Sequence, residues 1–142
     1  MTAAKTRLLN PLALAFIGDG SFELMARRYI IERYEGLSTR RLHELKVQLV
    51  CARAQSEALE IIWPLLFDDE RDICRRGRNA SSAAVPKGAT ACEYRRATAL
   101  ESLFGWLELN ENHPRMQELF SAIALAMLPQ EVKCAEAAAV EA

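Results

Sequence analysis

The chain has 142 residues, with hydrophobic residues at 51% and charged residues at 26%. That is enough for one globular domain with its own core, and it excludes a disordered chain, a collagen and a disulfide mini-protein. Eighteen Lys and Arg against nineteen Asp and Glu leave a net charge of −1, so any nucleic-acid-binding surface must be local rather than global. No run of about 18 uncharged apolar residues exists, which predicts no membrane-spanning helix. Met1–Arg7 meets Asn10-Pro11 before an apolar stretch develops, so an intracellular, cytoplasmic protein is expected. Cys51, Cys74, Cys92 and Cys134 form no CxxC pair, and free thiols are the expectation.

The periodicity is helical along most of the chain. Residues 1–9 read as an N-terminal lead. Asn10 suits an N-cap and Pro11 the first helical position. The spacing predicts a mostly buried helix from there to about Tyr34, carried by Leu12, Leu14, Phe16, Ile17, Phe22, Leu24, Met25, Tyr29 and Ile30, with Gly36 as its stop. Ser38 or Thr39 caps a second helix running to about Ile62, and Pro64 ends it. Asp68, Asp69 and Glu70 suit the start of a short helix ending near Arg75. Residues 76–90 read as an exposed loop rich in breakers. A helix covers about Ala91 to Leu109, and Asn112 with Pro114 starts a last one ending near Leu128. Residues 129–142 read as a frayed or disordered tail. The expected architecture is an all-α helical bundle over residues 10–128.

Three features carry chemistry. Asp19 stands between Gly18 and Gly20 inside an apolar helix, where each glycine costs about 0.5–1 kcal/mol relative to Ala. That cost is understandable if another backbone or a ligand approaches closely. Glu23, four residues on, shares the face of Asp19. The pair suits a divalent cation with oxygen ligands, or else a solvated stripe. Around Glu101 an apolar stripe of Ala97, Leu100, Leu103, Phe104 and Leu107 leaves Tyr94, Thr98, Glu101 and Glu108 on or near another face. Glu101 facing Asp19 across a helix pair would make a minimal carboxylate site. From Glu70 to Arg96, seven basic residues face three acids, an excess of four in 27 residues. Such a stretch suits a phosphate backbone, or simply a solvated loop.

Acids for a metal and a basic segment for nucleic acid point to a metal-dependent phosphodiester enzyme. The segment NPLALAFIGDGSFELMARRYI resembles the signature helix of ribonuclease III. The likeness is closer still to Mini-ribonuclease III, the short form that lacks a double-stranded-RNA-binding domain. It is carried by four blocks in the family's order: NPLALAFIGDGSFELMAR, RRLHELKVQLVCARAQSEAL, RRGRNASSAAVPKGATACEYRRAT and ALESLFGWLEL, over about residues 10–109.

The resemblance implies an all-α endonuclease domain working as a homodimer, with each subunit cutting one strand of an RNA duplex. It implies Mg²⁺-dependent hydrolysis leaving 5′-phosphate and 3′-hydroxyl ends, and maturation of precursor large-subunit ribosomal RNA. By position the catalytic, metal-holding acids fall on Asp19 and Glu101. Leu12 and Ala15 stand where full-length ribonuclease III has two further acids, and Thr98 where it has a third. Losing these acids is what the short form does too. Glu23 and Thr98 are expected one contact out from the metal, and Arg76, Arg78, Asn79, Lys87 and Arg96 are expected to bind RNA. Asn79 is also a candidate loop cap, and Tyr94 and His43 read as core or hydrogen-bonded residues. Ser81 after RGRNA and Gly88 after Pro86-Lys87 depart from the short form's usual Lys and Asn. The competing readings are a catalytically silent RNA-binding ribosome assembly factor on the same fold, and a helical protein-interaction domain without RNA.

Overall fold

The computed structural model describes residues 1–81 and 85–131. Seven helices appear among them, and no strand: α1 (Ala3–Leu8), α2 (Pro11–Arg33), α3 (Thr39–Val50), α4 (Ala52–Ile62), α5 (Asp68–Ala80), α6 (Ala91–Leu109) and α7 (His113–Met127). A 3₁₀ turn, Trp63–Leu65, follows α4. The all-α expectation holds. No helix of the described residues is long and apolar enough to cross a membrane.

Local chemistry sets the helix starts. Asn10 Oδ1 accepts from the Leu12 N–H at 2.9 Å, with Pro11 in the first turn. Ser38 Oγ accepts from the Arg41 N–H at 3.1 Å. Thr90 and Glu93 exchange two bonds, Glu93 N–H to Thr90 Oγ1 at 3.1 Å and Thr90 N–H to a Glu93 carboxylate oxygen at 2.9 Å. Each satisfies N–H groups that have no acceptor within the helix.

Four expectations change. The lead at residues 1–9 contains a helix, α1. The helix expected over residues 39–62 is two, because the Cys51 backbone is extended (φ −68°, ψ 157°). The helix expected to end near Arg75 runs to Ala80, so the exposed loop begins five residues later than the breakers suggest. Gly77 does not break it, because that position is pressed against α6. A Cβ there would lie 2.4 Å from Ser102 Oγ. Finally, α2 is not mostly buried: Leu14, Phe22 and Ile30 are, but Leu12, Phe16, Ile17 and Leu24 are exposed. The expected tail falls beyond the described residues from 132 onward.

Helix α6 is the centre of the bundle and packs on α2, α5 and α4. Ala97, Ala99, Leu100, Leu103, Phe104 and Leu107 bury most of its circumference, as expected of a helix without a solvated side. Phe22 of α2 meets Phe104 of α6 edge-on at 5.1 Å and Phe120 of α7 at 5.5 Å, favoured aromatic geometries. Helix α5 is fastened to α7 by a buried ion pair. The Arg115 guanidinium forks onto Glu70 at 2.9 and 2.8 Å and also donates to Leu65 O at 2.8 Å. Glu70 in turn accepts from the Phe67 N–H at 2.8 Å.

The tightest contact is between α2 and α6. A Cβ on Gly18 would fall 1.7 Å from the Glu101 carbonyl oxygen, and one on Gly105 1.8 Å from that of Leu14. Glycine on both sides lets the two backbones touch. Gly18→Ala should therefore destabilise the chain by about 3 kcal/mol, lowering the urea midpoint at unchanged slope. Gly20→Ala, with nothing within 4 Å of its added methyl, should stabilise it by about 0.5–1 kcal/mol. Equal effects at the two positions would contradict the close crossing.

Candidate active site

The glycine crossing puts Asp19 of α2 and Glu101 of α6 side by side. Gly18, whose Cα sits against the Glu101 backbone, immediately precedes Asp19. Asp19 is exposed and Glu101 half-buried. The Glu101 carboxyl is pushed up to about 8 from its ordinary 4.5, first by burial and then by the negative charge of Asp19. The sequence reading of two acids facing across a helix pair is thus met in the fold. Among the described residues neither carboxylate has a hydrogen-bond or basic partner.

This donor pair fits a hard divalent cation. Both donors are carboxylate oxygens, and burial and the charge of Asp19 raise the pKa of Glu101 in the absence of a cation. No group of three or more His, Cys, Asp or Glu gathers among the described residues. Mg²⁺ commonly uses one or two carboxylates and keeps several waters, so two acids suffice. Gly20, with open space where a side chain would stand, leaves the side of α2 next to Asp19 uncrowded.

The neighbours divide into two groups. Glu23 lies one turn beyond Asp19 and pairs with Arg27 at 3.4 Å and Lys46 at 3.6 Å, so its charge is already balanced. Thr98, three residues before Glu101, is buried. Its hydroxyl donates to Tyr94 O at 3.0 Å and lies 3.3 Å from Ser81 Oγ. Ser102 was not singled out by the sequence, yet its fully buried hydroxyl lies within hydrogen-bond reach of Thr98 O at 2.8 Å and Pro11 O at 3.0 Å. It ties the N-terminal end of α2 to α6 beside Glu101. His43 is exposed on α3 rather than in the core, and Tyr94 is half-buried.

The basic residues are less uniform than a flexible loop implies. Arg76, Arg78 and Asn79 are on α5, Arg96 is on α6, and Lys87 is exposed in a turn beside Gly88 (φ +87°). The Arg76 guanidinium donates to Arg7 O at 3.1 Å and Leu9 O at 3.2 Å, pinning the N-terminal segment. Arg96 pairs with Glu60. Arg78 is exposed and has no partner among the described residues. Asn79 is exposed in the last turn of α5, whose C-cap is Ser81.

Residues 12–112 match the ribonuclease III domain. The chain is 40% identical over 111 residues to Mini-ribonuclease 3 of Thermoanaerobacter sp. (strain X514), covering 78% of each. It is 37% identical over 125 residues to Mini-ribonuclease 3 of Symbiobacterium thermophilum, covering 87% of this chain and 95% of that one. A crystal structure of a Fusobacterium nucleatum protein superposes with a TM-score of 0.76 at 29% identity, over 82% of this chain and 94% of that one. The domain match spans both Asp19 and Glu101, and the chain belongs to the ribonuclease III family, alongside the Mini-ribonuclease 3 proteins, as an endoribonuclease.

Proposed function

We propose that this protein is a cytoplasmic, Mg²⁺-dependent endoribonuclease that cuts double-stranded RNA as a homodimer, with precursor large-subunit ribosomal RNA as its substrate. The observation that carries the reading is the pairing of Asp19 and Glu101: two acids on touching helices, one of them kept protonated by burial and by the other's charge. Two acids brought together without a basic partner cost the fold stability, and a bound cation would offset that cost.

Asp19 and Glu101 would hold the cation. Such an ion, when bound, supplies positive charge to a scissile phosphate and lowers the pKa of a coordinated water. The chain supplies the rest. Glu101 must give up its proton as it becomes a ligand, so affinity rises with pH. Thr98 and Ser102 fix the α6 turn that carries Glu101. Glu23, held by Arg27 and Lys46, steers the outer edge of the site rather than binding directly. Duplex RNA has a narrow major groove, so its phosphates and 2′-hydroxyls are what a protein meets. Arg78, Lys87 and Asn79 are exposed and offer contacts to them. Arg76 and Arg96 can join only by sharing guanidinium groups already engaged within the chain.

The close approach that the glycines permit is not the basis of the dimer. Gly18 is used inside the chain, against α6. The support lies instead on the outward side of α2, where Leu12 is 40% and Phe16 84% exposed at i, i+4 spacing. Phe16→Asp should convert a particle of about twice 15.9 kDa in sedimentation to a monomer. An unchanged sedimentation coefficient would place the interface elsewhere.

Asp19→Asn and Glu101→Gln should each lower Mg²⁺-dependent cleavage of a blunt RNA duplex by about 100- to 1,000-fold or more, while duplex binding, driven by phosphate contacts, persists. Wild-type protein that binds duplex without cutting it would favour the silent assembly factor. No salt-dependent binding at all would favour the protein-interaction domain.

The raised Glu101 pKa has a consequence for stability. The folded chain favours the protonated acid, so this contribution is fully present below about pH 4.5 and is lost as pH rises to about 8. In chelator, the thermal midpoint of the wild type should fall across that window more steeply than that of Glu101→Gln. Identical slopes would mean that Glu101 is solvated.

A further inference from the structure

A cleft of 330 Å³ opens between α4, the Trp63–Leu65 turn, α5 and α6. Its size is that of a small-ligand pocket. Leu59 and Trp63 give its lining an apolar and aromatic part, and Arg75, Arg78 and Arg96 line it together with one acid, Glu60. Arg96 and Arg75 each have a carboxylate partner, Glu60 and Asp72, which leaves Arg78 as the guanidinium in excess among the three. Arg71 and Arg75 lie over the Trp63 ring at 5.4 and 5.6 Å from its centre, and Arg75 is also paired with Asp72 at 3.0 Å. Arg78 has no partner among the described residues. None of these contacts is needed to hold Asp19 and Glu101 together.

An aromatic face bordered by guanidinium groups suits one class of ligand: a flat ring joined to a phosphate. Bases stack on Trp and on guanidinium planes with little regard to their identity, and guanidinium groups grip phosphate in forked pairs. We propose that this cleft binds a single unstacked nucleotide unit, with its base against Trp63 and its phosphate on Arg75 and Arg78. The unit comes either from the free pool of nucleoside monophosphates or from an unpaired end of RNA. The choice of a nucleotide over other aromatic anions rests on the reading of the chain as a ribonuclease; the cleft's charge and aromatic lining do not.

The test uses the whole chain and two probe sets. The first is titration with AMP, GMP, CMP and UMP, followed by tryptophan fluorescence in a Trp106→Phe background so that Trp63 alone reports. Adenosine and inorganic phosphate serve as half-ligands. A nucleoside monophosphate should saturate the signal where neither half does, and Arg75→Gln should weaken it at least about tenfold. The second is binding of blunt duplex RNA against the same duplex with a two-nucleotide 3′ overhang. Tighter binding of the overhang form, lost in Trp63→Leu and in Arg75→Gln, assigns the site to RNA ends. Nucleotide saturation without an overhang preference assigns it to free nucleotide. The proposal is overturned if no monophosphate saturates at about 10 mM and the overhang brings no gain, or if binding is unmoved in both variants. Blunt-duplex cleavage is followed alongside. Its retention in Trp63→Leu with loss in Asp19→Asn keeps failure of this cleft distinct from failure of the ribonuclease reading. Urea unfolding of each variant confirms that it is folded, and Arg75→Gln, an exposed change, serves if Trp63→Leu is not.

Discussion

Everything about the candidate site depends on two helix backbones touching. Side chains ordinarily hold helix axes 8–10 Å apart. Here Gly18 on α2 sits under the Glu101 carbonyl, and Gly105 on α6 sits under that of Leu14, so neither strand of the contact has room for a methyl group. Asp19 follows Gly18 directly, and Glu101 supplies the carbonyl that Gly18 touches. The carboxylates become neighbours because the glycines are neighbours. Burial, and after it the repulsion from Asp19, pushes the Glu101 carboxyl up to about 8.

The remainder of the bundle keeps that crossing from slipping. The Phe22, Phe104 and Phe120 rings interlock α2, α6 and α7 on one side. On another, Gly77 lets α5 close on α6 at Ser102, whose hydroxyl reaches back to Pro11 at the start of α2. The Arg115–Glu70 pair then fixes α5 to α7. Removing one partner of such a pair strands a buried charge and costs about 3–5 kcal/mol, so its role is to hold orientation rather than to add net stability.

Much of this was legible in the sequence. The helices opened by Asn10-Pro11 and Asn112, and the one over Ala91–Leu109, fall where the caps and the run of apolar residues put them. The cost of Gly18 inside a helix correctly signalled a close approach, but sequence could not say to what: the partner is α6 of the same chain, and Gly20 touches nothing. Apolar spacing could not separate the inward side of α2 from the outward side bearing Phe16, because both are apolar. Gly77 reads as a breaker, and only the presence of Ser102 beneath it explains why the helix continues. Cys51 carries no breaker chemistry, yet the chain turns there. The Glu70–Arg115 pair joins residues 45 apart with no local mark. Arg76 sits in a basic stretch, and its use in pinning Arg7 and Leu9 is a tertiary fact.

The central claim is that Asp19 and Glu101 form one cation site because α2 and α6 cross at glycine. Its most direct measurement is Mn²⁺ binding to the RNA-free protein, followed by electron paramagnetic resonance of the free ion above pH 8. The account requires wild-type protein to remove Mn²⁺ from solution, and requires Asp19→Asn and Glu101→Gln each to abolish that uptake with their folds intact. Uptake that persists undiminished in either variant would contradict it, because the two carboxylates would then not share an ion.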